Sequence, residues 1–217
     1  TRSKKVTGDP PMSRYIKPSA FHSFDPLRID PLELIEPIQA SLGGDHHQLK
    51  ELVKNSSDIS ALKQGVPPLF DPATILFLSC LDWPDNGETP EPIDKGLTRD
   101  RLGRFPIEGG NAIEYILAST RDKSEEKVFH DLLTKLSEGL DEKNLGEAGF
   151  TNTMSGMILC GWLTEGEVIE LRQSIQGQDW SIDADELIDG GVRDAARHLI
   201  VMLRSAEKRN CGLLMRV

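Results

Sequence analysis

A chain of 217 residues with 38% hydrophobic and 28% charged side chains is too apolar to be disordered and long enough to bury a substantial core in one domain. Its net charge of −10 opposes binding to nucleic-acid phosphates and anionic lipid and draws cationic partners at low salt, beside the plainer consequence of solubility. Three widely spaced cysteines, Cys80, Cys160 and Cys211, exclude a disulfide framework and a CxxC metal or redox pair, which makes a reducing cytoplasm the expected location.

Residues 1–11 carry Arg2, Lys4 and Lys5 against Asp9, so residues 12–217 hold a net −12. Met12-Ser-Arg-Tyr reads as a native start, which makes residues 1–11 a cloning remnant or a disordered extension; no apolar run follows Lys5 to form a secretory signal. Residues 12–217 read as a single globular domain. Up to residue 29 the chain is polar and proline-bearing, and Tyr15, Ile16, Phe21 and Phe24 cross a surface or add an edge strand.

Asp30-Pro31 signals a helix start, an N-cap aspartate before a proline at the first helical position. Leu32, Leu34, Ile35, Ile38 and Leu42 continue the helix and Gly43-Gly44 stops it. Asp45 then caps a second helix carrying Leu49, Leu52 and Val53 and ending near Asn55. Asp71-Pro72 repeats the signal before Ile75, Leu76, Leu78 and Leu81, predicting a buried helix; a strand is the competing reading of so short an apolar run. That run, residues 75–81, is far below the roughly 20 residues of a membrane span. Residues 82–110 have no periodicity and are broken by Pro84, Pro90, Pro92 and Pro106, which predicts a long loop of the kind that carries function or is disordered.

Asn111 opens a helix with Ile113, Ile116 and Leu117 on one face. Ser124 opens the next, which has Glu125 and Glu126 at its positive pole and a stripe from Val128 through Phe129, Leu132, Leu133 and Leu136 to Leu140, with Gly139, Gly146 and Gly149 marking its exit. Residues 157–163 read as a strand. Thr164-Glu-Gly-Glu167 has the spacing of a capping box, followed by Val168, Leu171 and Ile175 on one face. Val192, Ala195, Ala196, Leu199, Ile200 and Leu203 form the core-facing stripe of a long last helix, with Arg204, Lys208 and Arg209 near its negative pole. Leu213, Leu214 and Met215 suit a short strand pairing with residues 157–159. The expected fold is α+β, a predominantly helical single domain with a small sheet near the C-terminus.

Chemical signatures are missing. His46-His47 are adjacent, so on a helix their rings diverge and read as a surface pair, while His130 and His198 flank apolar stripes. No zinc spacing occurs. Thr153-Met-Ser155-Gly156 lacks the first glycine of a nucleophile elbow, and Gly103 to Gly110 matches neither phosphate-loop pattern. Asp183-Ala-Asp185-Glu186 lacks the offsets of a calcium loop and reads as an acidic helix N-terminus. No cofactor is called for. An enzymatic alternative needs distant residues to meet, as Cys160 with His198, or His130 or His198 with carboxylates and Arg104.

The candidate functional segment is the long loop. Asp82-Trp83-Pro84-Asp85-Asn86-Gly87-Glu88, continued by Glu91 and Asp94, joins an aromatic anchor to carboxylates. That mix suits a protein-binding surface on which tryptophan supplies area and acids steer. Two other readings compete with it. One folds Trp83 back on the core and leaves the acids solvated; the other buries a patch of Trp83, Leu97, Leu102 and Phe105 between subunits of a larger assembly.

Gly161-Trp162-Leu163-Thr164-Glu-Gly-Glu167-Val168, followed by Leu199 and then Gly212-Leu213-Leu214, resembles the C-terminal part of small bacterial domains associated with polymorphic-toxin immunity proteins. In those domains a GY/GWLT-E-V turn leads from strand to helix, before a further helix and a final strand. The resemblance covers the last quarter of the chain, leaves the 82–110 loop without a counterpart and carries no active-site residue. Together with the acidic charge and the missing catalytic motifs, the resemblance implies a non-enzymatic, immunity-type protein that docks a basic protein partner; the charge speaks against nucleic acid and membrane as partners.

Overall fold

Asp30 and Asp71 each start a helix as their positions before proline require. In the computed structural model, which describes residues 22–103, 111–123, 125–145, 153–154 and 157–217, the Asp30 carboxylate accepts the Leu32 N–H at 3.0 Å and opens α1 (Pro31–Leu42). Asp71 accepts the Thr74 N–H at 2.9 Å and opens α4 (Pro72–Cys80), which settles the 75–81 run as helix rather than strand. Between them lie α2 (His47–Leu52), which stops short of the expected end near Asn55, and a single turn, α3 (Ser57–Ser60), capped by Ser56. Expectations for Met12, Tyr15, Ile16, Phe21, Arg104, Phe105, Ser124, Gly146, Gly149 and Ser155 fall outside the described residues.

Four antiparallel strands form the main sheet in the order β1 (Ser23–Leu27), β6 (Gly212–Arg216), β4 (Met157–Leu163), β3 (Thr153–Met154). Phe24 is thus part of a strand, as its isolated apolar character allowed. The expected β4–β6 pairing occurs in a different register: Leu213 faces Leu163, Leu214 faces Trp162 and Met215 faces Gly161, with an irregularity between Leu159 and Gly161. Alternation along β6 then fills two cores. Leu213 and Met215 join Phe24 and Leu163 beneath α7 (Val128–Glu138), α9 (Glu165–Gly177) and α10 (Gly191–Lys208). Leu214 turns the other way, with Leu27, Leu159 and Trp162, against α1, α2, α4 and Leu145 of the single turn α8 (Glu142–Leu145). The fold is α+β and mainly helical, with its sheet covered on both faces.

Thr164 makes the capping box its spacing predicts, with its hydroxyl on the Glu167 N–H and the Glu167 carboxylate on the Thr164 N–H at 2.8 Å. Asn111 caps α6 (Ala112–Ala118) through Ile113 and Glu114. Other segments depart from expectation. The predicted 82–110 loop contains a helix, α5 (Leu97–Gly103), whose two buried side chains, Thr98 and Leu102, are too few to show a period. A second two-stranded sheet pairs β2 (Thr120–Asp122) with β5 (Trp180–Ile182). Asp183 to Glu186 is a turn rather than a helix N-terminus. Glu186 instead reaches forward to accept the Val192 N–H at 2.5 Å, inside the first turn of α10. Among the described residues no helix is long and apolar enough to cross a membrane.

Candidate functional site

The loop after α4 is built rigidly. Its start is tied to the edge strand by the Asp82 N–H donating to the Pro26 carbonyl at 2.9 Å. The Gly87 N–H returns to the Pro84 carbonyl at 2.9 Å, and Gly87 sits at φ +72°, the left-handed conformation that closes this turn. Asn55 clamps it from outside, donating to the Trp83 carbonyl at 3.3 Å and to Asp85 at 3.1 Å, while Asn86 accepts the Glu88 N–H.

Among the six residues expected to form the docking surface, three change role. Trp83 is folded back: its indole N–H donates to the Leu78 carbonyl at 2.7 Å and its ring packs on the α1–α4 core, so it is no exposed anchor. Asp94 is 1% exposed and accepts the Phe24 N–H at 3.1 Å, which removes it from any surface. Glu91 is exposed but paired with Lys95, whose hydrogen bond and charge hold its carboxyl below the usual range. Half-buried Asp82 and exposed Asp85 and Glu88 make no ion pair with a described residue. The alternative apolar patch does not form either, because Leu97 is 63% exposed while Leu102 is fully buried.

The wider setting of these acids was not read from the sequence. Residues 23–92 hold twelve Asp and Glu against four Lys and Arg, a net −8 within the chain's −10. Glu33, Glu36, Glu51 and Asp58 are exposed there, and one of the four cations is turned away: Lys50 donates to the Ser60 and Leu62 carbonyls at 2.9 and 2.5 Å. The segment between α3 and α4 exposes Val66, Phe70 and, entirely, Leu69. It is pinned by the Gly65 N–H on the Gly44 carbonyl and by His46, whose Nε2 lies 2.9 Å from the Val66 carbonyl and whose Nδ1 lies 2.7 Å from the Ser41 hydroxyl. A carbonyl only accepts, so Nε2 carries the proton. His46 is therefore a buried staple, correcting the expected surface pair, whereas His47 is exposed.

A second cluster lies at the sheet edge. Arg216 on β6 donates through Nε to Asp25 on β1, and Arg99 of α5 reaches the Ser23 hydroxyl at 3.4 Å. Burial pushes the Asp25 carboxyl above its ordinary range, with Arg216 opposing the shift. Burial also raises Asp94 to about 6, against the Phe24 hydrogen bond. It lowers His22, whose Nδ1, like the Asp94 Oδ2, has no hydrogen-bond partner among the described residues. The cluster joins β1, α5 and β6 and acts as a pin for the edge strand. Asp94 makes stability pH-dependent in a definite direction. It keeps its proton to about 6 when folded and to about 3.9 when unfolded. Across that window the folded state binds more protons, so stability falls as pH rises, by up to about 3 kcal/mol. Asp94→Asn is expected to gain on the wild type in urea unfolding as pH is raised through this window, and a pH-independent difference would contradict the assignment.

Among the described residues no catalytic set assembles around the remaining chemical candidates. His130 donates to the Thr120 hydroxyl at 2.9 Å, and that hydroxyl donates onward to the Ile116 carbonyl. His198 lies 3.8 Å from Asp194. Burial pushes the Cys160 thiol up to about 12 and the Cys211 thiol to about 11, and raises Cys80 as well, so none is a ready thiolate. Among the described residues no group of three or more His, Cys, Asp or Glu is placed to hold a metal ion. No protein-family profile, curated protein or solved structure matches the chain. The reading of its function therefore rests on its own residues.

Proposed function

We propose that the chain is a non-enzymatic binding protein, of the immunity type its C-terminal residues resemble, whose acidic half docks a cationic protein surface. The observation that carries this reading is the net −8 of residues 23–92, where nine of the twelve acids are exposed, Asp25 being buried against Arg216 and Glu91 alone of the exposed set being held by a lysine, Lys95. Charges of one sign spread over a face steer an oppositely charged partner and raise its association rate. The turn that presents Asp85 and Glu88 is already fixed by Asn55 and Gly87, so little ordering cost falls on binding. At the other end of α4, a nine-residue helix rising about 13 Å, the exposed Val66, Leu69 and Phe70 supply apolar contact area. Three free thiols fit a reducing cytoplasm as the place where it acts.

The full chain used as bait in a lysate of its source organism is expected to retain a basic protein at low salt. The triple variant Asp82→Asn, Asp85→Asn, Glu88→Gln is expected to retain about tenfold less of it. Equal capture by the variant would remove this loop from the docking surface.

A further inference from the structure

We infer that the groove between α9, β5 and α10 binds a small organic anion, an apolar body carrying a phosphate or like head group. The site lies outside residues 23–92, has the opposite charge and does not rest on the docking reading. On α10 the exposed residues from Arg193 to Lys208 are Arg193, Arg197, Val201, Arg204 and Lys208, a stripe of four cations without a carboxylate in a chain of net charge −10. Arg193 makes no ion pair with a described residue, and Arg197 reaches Asp194 only at 3.9 Å.

Both of these arginines line the groove, whose volume is about 510 Å³, within the range of small-molecule sites. They stand one helical turn apart on the same face, a spacing that lets both guanidinium groups reach a single anionic head with charge-assisted, bidentate contacts. Gln176, Gln178 and Ser181 offer neutral hydrogen bonds, and Trp180 and Ile200 form an apolar wall. Trp180 is set in advance. Its ring stacks on Phe129 with centroids 5.3 Å apart, and its indole N–H donates to the Ile175 carbonyl at 3.2 Å. No described carboxylate lines this groove, whereas the groove on the other side of β5, about 630 Å³, is lined by Glu114, Asp183 and Asp185 against one cation, Arg121, which pairs with Asp183 at 2.6 Å. The strand thus separates a side that accepts an anion from one that repels it.

Calorimetric titration of the full chain with phenyl phosphate, and separately with inorganic phosphate, tests the assignment. Phenyl phosphate is expected to bind the more tightly of the two. Arg193→Ala with Arg197→Ala should weaken it by about tenfold or more, while Arg204→Ala with Lys208→Ala, on the same stripe but outside the groove, should change it by less than about twofold. All four arginine and lysine positions are exposed, so neither variant threatens the fold. The inference is overturned by absence of phenyl phosphate binding, by equal loss in both double variants or by equal affinity for the two probes.

Discussion

Gly161→Ala is expected to destabilise the protein by about 3 kcal/mol, near the top of the range for overpacking. Gly161 lies on β4 directly under the last turn of α7. A Cβ there would stand 2.5 Å from the Leu136 carbonyl oxygen and 2.6 Å from its carbon, and closer still to the Lys135 oxygen, where real Cβ atoms keep beyond 3.0 Å. These neighbours are backbone, so no rotamer relieves the clash; the helix has to lift from the sheet. Gly166, in the first turn of α9, has nothing within 4 Å of its Cβ position. Gly166→Ala should be neutral or gain up to about 1 kcal/mol. Urea unfolding of the two variants measures the contrast, and similar stabilities would show that α7 does not rest on Gly161.

Arg216→Met should cost about 3 kcal/mol at neutral pH, the lower end for breaking a buried ion pair, because Arg99 still offsets part of the charge left on Asp25. Without its guanidinium partner the Asp25 carboxyl rises further above its ordinary range. The folded state then holds that proton to a higher pH than the unfolded chain does, so the loss is small in acid and grows as pH rises. Replacing both partners, Asp25→Leu with Arg216→Met, should recover much of the loss, since an apolar pair leaves no buried charge unmatched. A double variant no more stable than Arg216→Met would show that the cost lies elsewhere, for example in the packing of the Arg216 guanidinium 5.7 Å from the Phe77 ring.

Helix starts were legible because capping is local. Asp30, Asp71, Asn111 and Thr164 each satisfy amides two or three residues away, so the sequence neighbourhood contains the whole interaction. The charge cluster is the opposite case. Asp25, the neighbouring Asp94 and Arg99, and Arg216 come from three distant segments, and Asp94, in a proline-bearing stretch, carries no local sign of burial. The three-residue strands β2 and β5 are too short to show alternation. Trp83 did have a readable signal. Both Trp83 and Trp180 follow a helix end and donate to the carbonyl five residues back, Leu78 and Ile175, in the last turn of the helix, the Ile175 carbonyl also accepting the Gln178 N–H at 3.4 Å. A tryptophan two or three residues past a helix end is thus a reason to expect a folded-back ring.

The acidic distribution was half legible. Net charge pointed to a cationic partner, but the concentration in residues 23–92 becomes meaningful only once α1 to α4 are seen to build one side of the sheet. The docking reading is tested most directly by the salt dependence of affinity for the captured partner, measured with the wild type and the Asp82→Asn, Asp85→Asn, Glu88→Gln variant. The wild-type dissociation constant should rise steeply with ionic strength, and the variant should start weaker and rise less steeply. An affinity indifferent to salt in both proteins would contradict electrostatic docking through the acidic half.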